Sequence, residues 1–232
     1  MTTIVVKAFA DRVEILSDGG LTNSVSGAFQ LLEKVNKVTG SIWAPIAVAG
    51  TGPTSYSKRV ADAVTNWSRA AGGSVDATIE RVREELARQR KDAGPPLQPS
   101  RMLLAGISET KGPCVWEFVN YAGTTPAPWT LAEHGQCIRL FGSHPTPEEE
   151  AALDDITTLA DYVPVMDAFR ARWRRQCNSH VDLTTIWPYG VETRRLRVWD
   201  EDVIGAPMVS VDEWLASGSG VIVEEDVAGA GD

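Results

Sequence analysis

Thr2 follows Met1, and a small second residue permits removal of the initiator methionine. Removal would leave a free α-amino group and a hydroxyl on one residue. An α-amine titrates near pH ~8, close enough to neutrality to take the proton from its own Oγ, so that residue would be nucleophile and general base together. Competing arrangements are few. No GxSxG, HExxH, Walker or dinucleotide-binding fingerprint occurs, and with three histidines a Ser-His-Asp triad has few candidates. Ser143 and His144 are adjacent, which normally points side chains apart. Cys177 and His180 form a CxxH pair, but a zinc site needs about four ligands and the other candidates lie far off in sequence. Gly50-Thr51-Gly52-Pro53 lacks the length and the lysine of a phosphate-binding loop, so a turn is expected there. No cofactor and no metal are expected.

The elements that must position Thr2 read as strands first. Thr2 to Phe9 and Arg12 to Leu16 form a β-rich hairpin about Ala10-Asp11, broken by Ser17-Asp18-Gly19-Gly20. A polar stretch then leads to Lys34-Val35-Asn36-Lys37-Val38 and an apolar strand from Pro45 to Ala49. Helical spacing follows, with Val60, Val64 and Trp67 on one face and Val75, Ile79, Val82 and Leu86 on another, joined at Gly72-Gly73. Met102 to Ile107 and Val115 to Val119 read as a second hairpin, and Ile138 to Phe141 as a strand. Thr146, Pro147 and Glu149 carry the signature of a capped helix start, so a third helix is expected to run to about Arg175 with a kink at Pro164. Val181 to Trp187 and Glu192 to Val198 are strands about Pro188-Tyr189-Gly190, and the remainder from Asp200 reads as irregular with a mobile acidic tail. Strands in antiparallel hairpins and helices in separate blocks argue for an α+β fold, two antiparallel sheets facing each other and flanked by helices, over a doubly wound parallel sheet.

Composition narrows the partners. The chain has 43% hydrophobic and 23% charged residues, the profile of a globular protein, and no apolar run approaches the ~20 residues that cross a bilayer. A net charge of −9 is a poor match to a phosphate backbone, so neither nucleic acid nor membrane is an expected partner. The first residues have no basic region followed by a long apolar core, and Cys114, Cys137 and Cys177 are too few and scattered for a disulfide framework. A cytoplasmic location is expected, or one within a virion if the chain is phage-encoded.

Thr2-Thr3-Ile4-Val5, Ile15-Leu16-Ser17-Asp18-Gly19-Gly20-Leu21-Thr22, Lys34-Val35 and Ile46-Ala47-Val48-Ala49-Gly50, in this order and spacing, resemble the opening of proteasome β-type and HslV-type subunits, which are N-terminal nucleophile (Ntn) hydrolases. The resemblance covers roughly residues 2 to 198 and implies a four-layer αββα sandwich, with a domain over 2–199 and a C-terminal extension over 200–232. It implies Thr2 as nucleophile and base, Lys34 as the cation that stabilises the ionised hydroxyl, and Asp18 as the carboxylate that orients lysine and amine. It also implies the backbone N–H near Ala47 as oxyanion donor and Ser143 as a holder of the terminal amine. Lys37 is a rival to Lys34, because the loop before Pro45 could shift the register by a few residues.

The chain departs from that family at several points. Gly142-Ser143-His144 stands where Gly-Ser-Gly is usual, Arg174, Arg175 and Cys177 occupy the stretch where an acid and a serine are expected, and Asn178-Ser179 replaces Gly-Gly. Two functions follow as expectations: a threonine peptidase or amidase acting on a peptide or amide substrate, or a catalytically silent Ntn-fold subunit of a homo-oligomer or phage particle. Eight tryptophans suit either a core or an oligomer interface.

Overall fold

The computed structural model describes residues 3–25, 28–92, 99–134, 137–140, 146–172, 174 and 177–210. It is a mixed helix and strand structure with three antiparallel sheets. β1 (Ile4–Ala8) and β2 (Val13–Asp18) form the opening hairpin, in register from Ile4 opposite Ser17 to Ala8 opposite Val13. β3 (Gly20–Val25) and β4 (Ala28–Lys34) form a second hairpin, followed by the short β5 (Val38–Gly40) and by β6 (Ile46–Thr51). Helices α1 (Thr54–Ala70) and α2 (Val75–Asp92) come next, then β7 (Arg101–Ser108), β8 (Gly112–Val119), β9 (Ala132–His134) and β10 (Cys137–Leu140). The chain continues through α3 (Pro147–Ala151), a 3-10 turn over Leu159–Tyr162, α4 (Val163–Arg172), β11 (His180–Trp187), β12 (Gly190–Val198) and β13 (Pro207–Ser210). One five-stranded sheet has the order β10-β1-β2-β11-β12, the other β5-β6-β7-β8-β9, and β13-β4-β3 make the third.

The apolar pattern explains which faces are covered. Ile4, Val6 and Ile15 pack with Ala47, Ala49, Leu103, Ala105 and Val115, so β1 and β2 share a core with β6, β7 and β8. Val5 and Leu16, pointing the other way, pack with Leu159, Met166 and Phe169. A strand covered on both faces reads as a continuous apolar run, as Ile4-Val5-Val6 does. On the far side of the second sheet, Val64 of α1 and Ile79, Val82 and Leu86 of α2 meet Ile46, Val48, Met102 and Leu104. Each such side chain, fully buried, contributes about 1.5–3 kcal/mol.

Three segments differ from the sequence reading. The stretch taken as polar is the β3–β4 hairpin, where Phe29 and Leu31 are buried while their neighbours are not, the alternation of a strand with one covered face. The single helix expected from Thr146 to Arg175 is two helices and a 3-10 turn. Thr146 does form the capping box with Glu149, the two backbone N–H groups lying 2.8 and 3.3 Å from the reciprocal side-chain oxygens. Pro164, instead of kinking a helix, is the second residue of α4, where its missing N–H costs nothing. Finally, β13 pairs with β4, so the chain beyond Asp200 belongs in part to a sheet.

Candidate functional site

β2 ends at Asp18, whose side chain is fully buried. Oδ1 accepts the Thr3 N–H at 2.9 Å, and Lys37 Nζ donates to Oδ1 and Oδ2, both at 2.8 Å. The Asn178 N–H reaches Oδ2 at 3.4 Å. Local folding assembles this cluster. The Gly19 N–H leaves the β1–β2 ladder and donates to His180 O at 2.9 Å, while Gly19 O accepts the Val35 N–H at 2.7 Å. That second bond returns the chain after β4 to the end of β2, which brings Lys37, two residues on, over Asp18. Gly19 is required there, since a Cβ would lie 1.9 Å from the His180 ring.

Charges held in this way interact strongly because little water screens them. The Lys37 side chain is 8% exposed and that of Asp18 not at all. Such a pair persists only when extra hydrogen bonds satisfy the remaining lone pairs, which the Thr3 and Asn178 amides do.

Behind Asp18, residues 177 to 180 are all buried. Burial pushes the Cys177 thiol well above its usual value, the Asp18 charge adds to the effect, and Lys37 and Arg170 oppose it. Its Sγ lies 3.8 Å from Met166 O. Held as a thiol in that setting, Cys177 is a packing residue and no nucleophile. His180 Nδ1 lies 2.9 Å from Ser179 Oγ, and Nε2 lies 2.9 Å from Arg195 Nη2 and 3.1 Å from Asp182 Oδ2. Burial alone would raise the Asp182 carboxyl, but hydrogen bonds from His180 and Arg195 outweigh it and hold the group below its ordinary value. Ser179, His180 and Asp182 make a Ser-His-Asp set by distance, yet Ser179 is 0% exposed, so the set has no route to a substrate. Its role is to fix the ring over Gly19 and hence the end of β2.

A second carboxylate braces the same segment. Asp202, also fully buried, receives Arg170 Nη2 and Arg174 Nη2 at 2.7 Å each on Oδ1, and the Ser179 N–H at 2.8 Å on Oδ2. Ser179 adopts φ +70°, a conformation uncommon for a residue with a side chain. Asp202 therefore ties the chain after β12 into the body of the protein, although the sequence reading begins an irregular extension at residue 200.

The residues singled out from sequence fall into three groups. Thr2 and Ser143 lie outside the described residues, Thr2 being joined by a peptide bond to the Thr3 amide on Asp18. Asp18 stands at the centre of the cluster, and the lysine beside it is Lys37. Lys34, opposite Gly20 at the end of β4, is exposed and makes no ion pair among the described residues. Ala47 is not placed to donate to an oxyanion. The Ile107 N–H bonds to Pro45 O at 3.0 Å, and the antiparallel alternation then makes Ala47 and Ala105 a hydrogen-bonded pair, which commits the Ala47 N–H to β7. The same alternation turns the Gly50 N–H toward β5, and with Val38 opposite Ala49 the register sets Gly50 opposite Lys37, past the end of that strand. Asp202 went unnoticed in the sequence, and His180 and Asn178 were noticed only as half of a CxxH pair and as a departure from Gly-Gly, because no motif marks a residue that works by bracing a neighbour.

The CxxH pair does not act as one. Cys177 faces Met166 and His180 faces Arg195 and Asp182, and among the described residues no three His, Cys, Asp or Glu side chains converge as metal ligands would. No helix among the described residues is long and apolar enough to cross a membrane. No protein-family model matches the chain, and no curated protein sequence matches it.

Proposed function

We infer that the chain is an Ntn-type hydrolase of the αββα kind, cleaving a peptide or amide bond through Thr2 after loss of Met1. The reading rests chiefly on one observation: the Thr3 amide and the Lys37 ammonium share the buried Asp18 carboxylate. Two further observations support the layered fold, the shared core between the two five-stranded sheets and the helix-packed cores on their outer faces.

In this mechanism the Thr2 amine takes the proton from Thr2 Oγ as that oxygen attacks the substrate carbonyl. Lys37, and not Lys34, supplies the positive field that favours the ionised hydroxyl. Asp18 holds Lys37 and anchors the strand through the Thr3 amide. The Gly50 N–H is the oxyanion donor in place of Ala47. The protonated amine then passes its proton to the leaving nitrogen, and water releases the acyl group from Oγ. The chain works as a homo-oligomer or part of a larger assembly, in the cytoplasm or within a virion.

A silent structural subunit is the second reading. It is favoured by Arg174, which stands where an acid would be expected and is engaged with Asp202, and by the enclosed Cys177 thiol near Asp18. Catalytic groups that act as a unit lose most of their rate when one is missing. Intact mass of the purified protein, with and without a peptide boronate or β-lactone, separates the two. Loss of Met1 and an adduct mapped to Thr2 are expected, whereas retained Met1 and no adduct would reject the hydrolase.

A further inference from the structure

We propose that β12 pairs edge to edge, antiparallel, with β12 of a second copy of this chain, about a two-fold axis at Thr193. Among the described residues β12 pairs with β11 alone and ends its sheet, and Glu192, Thr193, Arg194 and Arg195 are all exposed. An open edge of that kind is a template for another strand. Glu192 and Arg194 make no ion pair among the described residues, so two opposite charges stand unmatched on that edge.

The hydrogen bonding of the sheet fixes which groups of β12 point outward. The Gly19 N–H donates to His180 O at 2.9 Å, where the β2 and β11 register continues one step past Asp18 opposite Val181. By antiparallel alternation His180, Asp182, Thr184 and Ile186 bond toward β2, and Leu183, Thr185 and Trp187 bond toward β12. Their partners on β12 are Arg194, Glu192 and Gly190, which leaves Val191, Thr193 and Arg195 with N–H and C=O turned to the open edge. From Val191 to Arg195 the register with β11 is unbroken, its one irregularity falling after Arg195.

Over that stretch two copies of the edge can meet only with outward groups facing outward groups, so a two-fold axis falls on a residue and never between two. Charge excludes most of the positions. An axis at Glu192, Arg194 or Arg195 sets that side chain against its own copy, and like charges directly opposite are destabilising. An axis at Val191 engages only Gly190 to Glu192 of each strand. Thr193 remains. An axis there sets Glu192 opposite Arg194 of the second copy, twice by symmetry, and Val191 opposite Arg195 of the second copy. Val191, Thr193 and Arg195 then supply about six backbone hydrogen bonds between the copies, and Glu192 and Arg194 fall at the alternate positions, where facing side chains lie closest. Charges that oppose pairing in the other registers thereby select this one.

The pairing rests on none of the chemistry assigned to Thr2, so labelling of Thr2 and association of the chain succeed or fail separately. Sedimentation equilibrium tests it on the native chain, on Glu192→Arg, on Arg194→Glu, on the double reversal and on an equimolar mixture of the two single variants, with circular dichroism to check folding. The native chain is expected to dimerise, and either single reversal alone to weaken the dimer at least ~10-fold. The double reversal and the mixture should each restore it, because both again set an acid opposite a base. In the native chain the Val191 and Thr193 amides should exchange at least ~10-fold more slowly in the dimer, with a protection that rises with protein concentration. That measurement needs no variant, so a variant that fails to fold leaves the test intact. A native chain that stays monomeric, or a dimer that both single reversals leave unchanged, would overturn the proposal. Protection independent of concentration would also overturn it, by assigning the edge to another part of the same chain.

Discussion

The two ends of the β1-β2-β11 sheet enclose charge unequally: the far end buries Glu14, which takes Arg12 Nε at 2.7 Å and the Leu159 N–H at 2.6 Å, whereas the Asp18 end buries a cluster. At the Asp18 end, Asp18, Lys37, His180, Asp182 and Asp202 are enclosed, and their charges are matched by one another and by backbone amides. At the other end, where β11 turns into β12, Ile42 and Tyr189 are each 85% exposed and Trp43 is 50% exposed. They border a groove of about 530 Å³ between the β5–β6 connection and the β11–β12 turn. Tyr189 stacks on Trp187 at a centroid separation of 6.1 Å, so even the exposed ring has a partner. Burying charge is expensive, and water-exposed aromatics contribute little to folding. Several enclosed charges converge in one defined geometry at the Asp18 end, so chemistry is to be sought there.

That contrast can be broken experimentally, most sharply at the lysines. Lys37→Met leaves the Asp18 carboxylate buried without its cation and is expected to cost about 3–5 kcal/mol in chemical denaturation, together with any labelling of Thr2. Lys34→Met should change stability by no more than about 0.5 kcal/mol and leave labelling intact. The reverse result would restore Lys34 as the site lysine. Gly19→Ala drives a methyl group into the His180 ring and is expected to cost about 1–3 kcal/mol, read as a lowered denaturation midpoint. An unchanged midpoint would show that His180 does not brace the end of β2.

A smaller effect separates the ends by pH. The Asp182 carboxyl has a lowered value in the folded protein, so its contribution is present above the ordinary carboxylate value of about 4 and is lost as the pH falls through the lowered one. Acid titration of stability should therefore be steeper for the native protein than for Asp182→Asn, and coincident curves would remove Asp182 from the charge network. The smallest change is expected at the opposite end. Ile42→Ala should leave stability within about 0.5 kcal/mol of the native protein, and a larger loss would mean that this residue is covered in solution.

Much of the fold was legible because periodicity is a local property. The β1–β2 hairpin, the two helices after Pro53, the capping box at Thr146 and the β7–β8 and β11–β12 hairpins all follow from alternation, helical spacing or turn residues. The β3–β4 hairpin was obscured because one face is polar, and β13 because a four-residue strand carries little pattern. The break before α4 was hidden by an apolar spacing that continues across it, with Leu159, Met166 and Phe169 all entering one core.

The site divides in the same way. Sequence alone determined that Thr2 can pair a hydroxyl with an amine, that Asp18 closes a strand, and that Lys34 and Lys37 are the basic residues in range. That Lys37 and not Lys34 reaches Asp18 follows from the Val35 amide on Gly19, which returns the chain with Lys37 over Asp18, a contact 19 residues apart in sequence. The spent amide of Ala47 is likewise a property of strand pairing. Hydrogen-bond direction and burial are set by neighbours from distant parts of the chain, so they exist only once the sheets have assembled.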